Sequence, residues 1–273
     1  MIYIFCATYI EAEPMIKYLG LKKDMSEKTF ERFCKEDISL CISDIGKINM
    51  AACVSHFLTL EKDLDNSFVL NIGICGTNDN SKNIGDAFLI NKIKDHASGK
   101  CYYPDLLINI DMEESSIICL DKPLFENLLN GKALIDMESS GFFRSANIYL
   151  PPDRIYLLKI VSDYLEKNTN RDKIKNFISY QIENINKLLS KIRIYIEDNK
   201  KAPILSEEEQ ILIKKLEEGL KLTFMQRKIL IEEIYKAKIK GFNIDFLKCY
   251  LFSVPKNKTE RNRIFDEIRK KLI

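Results

Sequence analysis

The sequence has no tryptophan, only two histidines, and no CxxC pair among its eight cysteines. His56 and His96 lack the spacing of zinc ligands, so we expect no zinc site. No apolar run approaches the roughly 20 residues that a membrane-spanning helix needs. The chain also contains no internal repeat and no low-complexity tract. These absences argue against a zinc-binding module and against a membrane protein.

The cysteines are scattered along the chain and lie mostly within apolar runs: Cys6, Cys34, Cys41, Cys53, Cys75, Cys101, Cys119 and Cys249. Such positions are typical of buried, reduced thiols in a cytosolic protein. The first residues, MIYIFCA, carry no basic leader and are soon followed by glutamates, so they predict a strand rather than a signal peptide. We therefore expect a cytoplasmic protein.

Composition and charge favour two regions with different surfaces. The 273 residues are 46% hydrophobic and 30% charged, enough for a sizeable core in one large domain or in one domain with an appendage. Residues 190–273 hold 20 Lys/Arg against 13 Asp/Glu, a net charge of +7. Residues 1–189 hold 22 against 27, a net charge of −5.

Residues 1–165 alternate between strand and helix patterns. Strands are predicted over 1–7, 30–37, 38–46, 67–76, 84–93, 115–120, 132–137 and 154–163. Helices are predicted over 11–21, 49–62 and 138–150. Near-continuous apolar strands between helices are typical of an α/β sheet that is covered on both faces.

The pattern after Asp163 is helical. Residues 179–200 have apolar positions at helical spacing, and Ala202-Pro203 is expected to break that helix. We place the boundary within or after this linking helix, with a catalytic domain over residues 1–190 and a basic helical extension over residues 200–273.

Further helix boundaries are predicted inside the extension. Ser206 precedes three glutamates, which is typical of a capped helix start. Thr223 predicts a second helix start, and Gly241 a helix end. Residues 256–273 predict a basic amphipathic helix.

Four segments resemble, in this order, one superfamily of nucleoside-cleaving enzymes. They are ATYIEAEPM (7–15), DIGKINMAA (44–52), NIGICGTNDNSKNIGDAFLI (71–90), and LIDMESSGFF (134–143) with KIVSDYLE (159–166). Together they resemble the purine nucleoside phosphorylase and methylthioadenosine/S-adenosylhomocysteine nucleosidase superfamily over about residues 1–190. The resemblance implies a three-layer, nucleoside phosphorylase-like α/β fold, with a central mixed sheet that curls towards a barrel. It also implies cleavage of the N-glycosidic bond of a nucleoside. Nothing in it covers the all-helical appendage.

Asp163 follows an apolar strand, and ligand sites of α/β sheets collect at the carboxyl ends of strands. A purine leaves poorly as an anion, so a carboxylic acid that protonates the ring improves it as a leaving group. The resemblance makes Asp163 this general acid, with Ser162 orienting it. The alternative is that Ser162 and Asp163 cap the next helix.

Glu138 is a candidate for ribose binding, because an ionised carboxylate can accept hydrogen bonds from both sugar hydroxyls. Those bonds would favour the positive charge that develops on the sugar ring. Met137 offers a polarisable apolar surface beside it. The resemblance assigns both residues to the sugar. The alternative is that Glu138 and Ser139 cap a helix.

Glu11 follows the first strand, and the resemblance implies that it activates the attacking water. Glu13 is a nearby competitor, but the spacing from the strand favours Glu11. Lys159 stands where nucleosidases carry an arginine, and a lysine keeps the charge without the planar fork. We count Lys159 and Gly73, with Ser162, among the substrate-binding residues. The alternatives are a surface glutamate in a first helical turn and a surface lysine at a strand end.

Hydrolysis is favoured over phosphorolysis. Hexameric phosphorylases of this superfamily carry an arginine where this chain has Asn71, and a hydroxyl residue where it has Ile74. The arginine-bearing glycine loop after the first strand is also absent. Ile74 departs from the nucleosidase pattern too, where a serine helps to hold the water. A phosphate-dependent phosphorylase remains the alternative enzyme.

The region between Asp105 and Met137 is short for this superfamily, which uses it for contacts to the base and the 5′ group. We expect an adenosine-type nucleoside, with a 5′-thio substituent as one option. A divergent substrate, or a site completed by another subunit, would fit the short region. We expect a homo-oligomer, with a dimer favoured, and neither a metal nor an organic cofactor.

Three roles remain open for residues 200–273: a helical subdomain packed on the core or at a dimer interface, a nucleic-acid contact, or a lid over the site. Clustered cations could meet phosphates, namely Arg261, Arg263, Arg269, Lys270 and Lys271. Glu260, Asp266 and Glu267 dilute that cluster, and membrane binding is the least favoured role. The alternative to an enzyme is a non-catalytic nucleoside-binding or nucleic-acid-associated module on the same fold.

Overall fold

The computed structural model describes residues 1–61, 64, 66–123, 131–165, 171–199, 205–239 and 241–272. The chain divides into two compact units, Met1–Glu197 and Asp198–Ile273. Across the described ranges, no helix combines the length and the apolar character needed to cross a membrane. The predicted break at Ala202-Pro203 lies outside the described residues.

The described part of the first unit contains ten strands, five α-helices and a 3-10 helix (Pro152–Arg154). The strands are β1 (Ile2–Cys6), β2 (Lys22–Lys23), β3 (Glu31–Lys35), β4 (Ile38–Ile42), β5 (Phe68–Thr77), β6 (Ala87–Asp95), β7 (Cys101–Tyr102), β8 (Glu114–Cys119), β9 (Leu134–Asp136) and β10 (Ile155–Asp163). The helices are α1 (Tyr9–Leu19), α2 (Lys47–Leu60), α3 (Ser139–Ala146), α4 (Arg171–Tyr180) and α5 (Ile182–Asp198). All eight predicted strands are confirmed. β2 and β7 were not predicted, because two residues are too few to show a periodic pattern.

Several predicted helix boundaries were wrong. The helix predicted over 138–150 ends at Ala146, and the helix predicted over 49–62 begins at Lys47. α1 begins at Tyr9 rather than Glu11, because Thr8 caps it with a side-chain hydrogen bond. The predicted helix over 179–200 is interrupted at Gln181, where α4 ends and α5 begins.

The ten strands form one mixed sheet in the order β10-β6-β8-β9-β5-β1-β4-β3-β2, with β7 pairing with β6. β10 also pairs with β5, so β10, β6, β8, β9 and β5 close into a circuit, while β1, β4, β3 and β2 extend from it. Pairs such as β1–β5 and β5–β10 are parallel, and pairs such as β5–β9 and β6–β10 are antiparallel. The predicted mixed sheet that curls towards a barrel is confirmed.

Helices cover both faces of this sheet. In β1, Ile2 and Ile4 belong to the core shared with α1, α4 and α5, whereas Tyr3 and Phe5 belong to the core shared with α2 and α3. Successive strand residues point to opposite faces, so a strand buried on both faces must be apolar throughout. Three layers result, which explains the unbroken apolar run IYIFC.

Helices α2 and α3 approach each other closely at Gly141. A Cβ atom added to Gly141 would lie 2.1 Å from the carbonyl oxygen of Lys47, well inside van der Waals contact. The glycine therefore allows the start of α3 to lie against the start of α2.

We expect Gly141→Ala to lower the free energy of unfolding by about 3 kcal/mol, because the backbone of α2 must shift to admit the methyl group. Gly219→Ala is the matched control, since Gly219 is also helical and its added Cβ would meet Leu251 O at an ordinary 3.6 Å. Denaturant unfolding of the full chain measures both. Equal stability of Gly141→Ala and the wild type would show that the close approach is not required.

The second unit is helical, as predicted. It contains α6 (Glu207–Gly219), α7 (Phe224–Ile239), a 3-10 helix (Asp245–Tyr250) and α8 (Lys258–Leu272), which share a hydrophobic core of their own. Ser206 caps α6, because its hydroxyl accepts a hydrogen bond from Glu209 N at 3.2 Å while Ser206 N donates to the Glu209 side chain at 2.8 Å.

Candidate active site

The carboxyl ends of β1, β5 and β10 meet at one edge of the sheet because these strands run parallel, and the end of β9 joins them. A cavity of about 480 Å³ opens there. Five of the residues singled out from the sequence line it: Glu11, Met137, Glu138, Ser162 and Asp163. The other two, Lys159 and Gly73, are not part of its lining and lie behind Glu11 and Asp136.

Glu11 is held at the start of α1 by a capping box. Its Oε2 accepts hydrogen bonds from Thr8 N at 2.8 Å and Thr8 Oγ1 at 2.9 Å, and Thr8 Oγ1 accepts one from Glu11 N. Its Oε1 accepts a bond from Ile74 N at 3.0 Å. Glu11 is only 4% exposed, so it is not a surface glutamate in a first helical turn. A carboxylate has about four acceptor positions. The three bonds that the Glu11 carboxylate accepts therefore leave about one position unused, on a side chain that lines the cavity.

Glu138 comes from the junction of β9 and α3. Its Oε1 accepts a hydrogen bond from Gly46 N at 2.8 Å, across 92 residues of sequence, and its Oε2 accepts one from Met137 N at 3.3 Å. Glu138 is 7% exposed. Burial, and then the nearby charge of Asp136, raise the pKa of Glu138 to about 7, although Lys159 and the Gly46 N–H oppose the rise.

The alternative that Glu138 caps α3 was wrong. Glu138 stands at the N-cap position but makes no side-chain capping bond. Asp136 takes that role, since its Oδ2 accepts a hydrogen bond from Ser139 N at 3.0 Å and its Oδ1 one from Ser139 Oγ at 2.7 Å. The Glu138 carboxylate is therefore directed to Gly46 and the cavity.

The raised pKa of Glu138 predicts a pH-dependent effect of Glu138→Gln on stability. Between pH 4.5 and 7 the unfolded chain ionises this glutamate while the folded protein keeps its proton, so the wild type loses stability as the pH rises. The glutamine variant lacks this loss. We expect its unfolding free energy, relative to wild type, to rise by up to about 3 kcal/mol between pH 4.5 and 7.5.

Urea unfolding at several pH values measures this difference. Glu13→Gln is the control, because Glu13 pairs with Lys17 and Lys175 outside the cavity and should show no such gain. A difference that does not change with pH would contradict the raised pKa of Glu138.

Asp163 ends β10 beside Ser162. The Ser162 hydroxyl has one hydrogen and two acceptors within hydrogen-bond distance, Asp163 Oδ2 at 2.6 Å and the carbonyl oxygen of Cys75 at 3.1 Å. Asp163 Oδ1 accepts a hydrogen bond from Leu165 N at 2.9 Å. The next helix in the described residues begins only at Arg171, so Asp163 is fixed by a local turn at the cavity wall.

Lys159 is 1% exposed, so it is not a surface lysine. Its Nζ lies 2.9 Å from Asp136 Oδ2. Burial opposes the charge of Lys159, but the carboxylates of Asp136, Glu138 and Glu11 outweigh it and raise the pKa of the amine. Sequence reasoning gave Asp136 no part in the site. The signal that could have found it is an acid at the end of one apolar strand and a base inside another, since buried charges need partners.

Gly73 has no side chain, and the space that a side chain would fill is occupied by other groups of the site. A Cβ atom there would lie 2.7 Å from Glu11 Oε1 and 3.8 Å from Lys159 Nζ. The missing side chain therefore allows the Glu11 carboxylate and the Lys159 ammonium to lie over the strand.

The rest of the cavity wall is mostly apolar, with side chains such as Ile45, Ile74, Leu120 and Ile135. None of the described lining residues is an arginine. Asn71 is buried in the sheet, where its Nδ2 donates to Phe5 O at 3.0 Å. Residues 124–130, in the region predicted to be short, lie outside the described residues.

Neither a known protein family nor a curated protein matches the chain by sequence. Solved structures do match. A Helicobacter pylori 5′-methylthioadenosine/S-adenosylhomocysteine nucleosidase matches with a TM-score of 0.59 and 13% identity, over 69% of this chain and 97% of its own. An Arabidopsis thaliana 5′-methylthioadenosine nucleosidase matches with a TM-score of 0.57 and 16% identity, over 73% and 96%.

A third match is the futalosine hydrolase of Helicobacter pylori, with a TM-score of 0.56 and 16% identity, over 71% of this chain and 97% of its own. At such low identity these likenesses establish the fold. The first unit of this chain has the three-layer α/β fold of the nucleoside phosphorylase and nucleosidase superfamily, as its four sequence segments predicted.

Proposed function

We propose that the protein is a nucleosidase that hydrolyses the N-glycosidic bond of a purine nucleoside. One observation carries the proposal: Glu11, Glu138 and Asp163, which come from three different elements, line one cavity. Its volume of about 480 Å³ lies in the range of small-ligand sites. Three carboxylates around one nucleoside can supply an acid, a base and a sugar-binding group.

Asp163 is the proposed general acid. The purine leaves with the electron pair of the N-glycosidic bond, so a proton or a short hydrogen bond at the ring stabilises the departing base. Ser162 Oγ donates to Asp163 Oδ2 at 2.6 Å and thereby fixes the orientation of the carboxyl group.

Glu138 and Met137 are proposed to hold the sugar. Ionised Glu138 accepts hydrogen bonds from the ribose hydroxyls and stabilises the positive charge that develops on the ring. The Gly46 N–H fixes one oxygen of this carboxylate. A bound sugar would give it further donors and so favour the ionised form.

Glu11 is the proposed base that orients and deprotonates the attacking water. The Thr8 and Ile74 hydrogen bonds hold it rigidly and leave an acceptor position for the water. The water adds to the anomeric carbon, its proton passes to Glu11, and the base takes the bond electrons. No step requires a metal ion or an organic cofactor.

Two features support hydrolysis of an adenosine-type nucleoside. The described wall of the cavity has no arginine to hold a phosphate with paired hydrogen bonds, and its single cation is Lys122. Its apolar side chains suit a 5′ group without charge. One structural neighbour, a Helicobacter pylori nucleosidase variant, holds 5′-methylthioadenosine in its active site. A 5′-thio-substituted adenosine is therefore our first choice of substrate.

The test is a panel of adenosine, inosine and 5′-methylthioadenosine, each incubated with the protein with and without inorganic phosphate and analysed for free base. We expect base release without phosphate and a free sugar as the second product. Strict dependence on phosphate would instead establish a phosphorylase. Binding of an adenosine analogue without base release would establish a non-catalytic module.

Gly73→Ala should reduce kcat/KM for base release by about 100-fold, because the new methyl group displaces the Glu11 carboxylate by about 1 Å. The measurement is steady-state kinetics on the best substrate of the panel. Thermal unfolding and binding of an adenosine analogue serve as controls and should change little. An unchanged kcat/KM would show that the position of Glu11 does not matter.

A further inference from the structure

Asp136 is a buried carboxylate on the cavity wall that the proposed chemistry does not use. Its side chain is 1% exposed and holds three protein donors: Ser139 N, Ser139 Oγ and Lys159 Nζ. Burying a carboxylate to this degree is costly without such partners. Asp136 therefore anchors two things at once, the start of α3 and the ammonium of Lys159.

Lys159 lies where the carboxylates of the cavity meet. It stands opposite Gly73 in the pairing of β10 with β5, and its Nζ shares with Glu11 Oε1 the space over that glycine. Asp136 lies beside it at 2.9 Å, and Glu138 interacts with it electrostatically. The ammonium itself is not part of the cavity lining.

The charges around Lys159 are unequal. Three carboxylates surround it, from Glu11 on α1, Asp136 on β9 and Glu138 at the start of α3. Two buried thiols also face it, and burial raises the pKa of both Cys6 and Cys75, so they stay neutral. One cation thus offsets up to three negative charges, and its removal would force a carboxylate to take up a proton.

We propose that Asp136 and Lys159 are a positioning pair, in which Asp136 anchors the ammonium behind the cavity wall and the ammonium attracts the negative charge of Glu138 without touching the substrate. The pair deepens the proposed function, and it rests on that function only for the role of Glu138 in binding the sugar. Lys159 then acts through Glu138 rather than by binding the nucleoside.

The test is a ¹³C NMR titration of glutamate side-chain carboxyls in the full chain, with the Glu138 resonance assigned by its loss in Glu138→Gln. Lys159→Met should raise the midpoint of the Glu138 titration by about one pH unit or more, because the attracting charge is gone. Asp136→Asn should lower it, because a repelling charge is gone. The double variant removes both charges and should lie between the two single variants.

If the two residues had only a structural role, their single variants would not shift the Glu138 midpoint in opposite directions. Midpoints that stay at the wild-type value, or that move in the same direction in both single variants, overturn the proposal. If Lys159→Met fails to fold, Asp136→Asn, which keeps the shape and an acceptor, and the charge-neutral double variant still decide it.

Kinetics separate this proposal from the proposed function. If the wild type releases purine, the acid limb of kcat/KM against pH should move with the NMR midpoint in each variant. Lys159→Arg keeps the positive charge, so its acid limb should lie close to that of the wild type. If the wild type releases no purine, the nucleosidase proposal fails while the NMR shifts still test the pair. Normal catalysis in Lys159→Met with an unmoved midpoint rejects the pair alone.

Discussion

Asp163→Asn is expected to reduce purine release by about 10²–10⁴-fold, the range attributed to general acid catalysis. Asparagine keeps the shape of the side chain and its acceptor for the Leu165 N–H, but it has no acidic proton to give to the base. The loss should appear in kcat, with little change in the affinity for an adenosine analogue, because the cavity wall is preserved.

The leaving group makes this test specific. A riboside of 4-nitrophenol departs as a stable anion and needs no proton from the protein, so Asp163→Asn should cleave it nearly as fast as the wild type. Asp153→Asn is the matched control, since Asp153 lies in the 3-10 helix Pro152–Arg154, beside Arg154 and outside the cavity lining. Purine release and nitrophenolate release, followed side by side, give both rates.

Two outcomes would reject the role of Asp163. One is full purine release by Asp163→Asn, which would place the acid elsewhere. The other is equal loss on both substrates, which would mean that the substitution disturbs the cavity rather than the protonation of the base.

Much of the fold follows from local patterns. The apolar runs of β1, β5 and β10 predict strands buried on both faces, because a strand with one solvated face would alternate. The capped start at Ser206 likewise follows from a short motif. Closure of the sheet does not, because the β5–β10 pairing depends on the register between residues nearly 90 positions apart.

The candidate site, like the fold, could be predicted from the sequence only in part. Asp163 was placed at a strand end by the run IVSD, and Glu11 and Glu138 by the order of the four segments. The Gly46–Glu138 hydrogen bond and the Lys159–Asp136 pair each join distant segments of the chain. Such contacts depend on the packing of several elements, so sequence reasoning assigned Asp136 no part in the site and Lys159 to the substrate.

Glu11→Gln is expected to reduce kcat for hydrolysis by about 10²–10⁴-fold with little change in KM. Glutamine suits the same position of a capping box, so the start of α1 should be preserved. What it loses is the ability to take a proton from water. Thermal unfolding should therefore resemble that of the wild type, in contrast to the kinetics.

An added nucleophile isolates the role of Glu11. Azide carries its own negative charge and can attack the anomeric carbon without losing a proton, so it should restore purine release by Glu11→Gln and yield a glycosyl azide. The wild-type Glu13 carboxylate pairs with Lys17 and Lys175. Glu13→Gln should therefore hydrolyse the nucleoside normally and gain little from azide. Asp163→Asn should gain little as well, because its defect concerns the leaving base rather than the nucleophile. If azide accelerates all three variants equally, Glu11 is not the group that activates water.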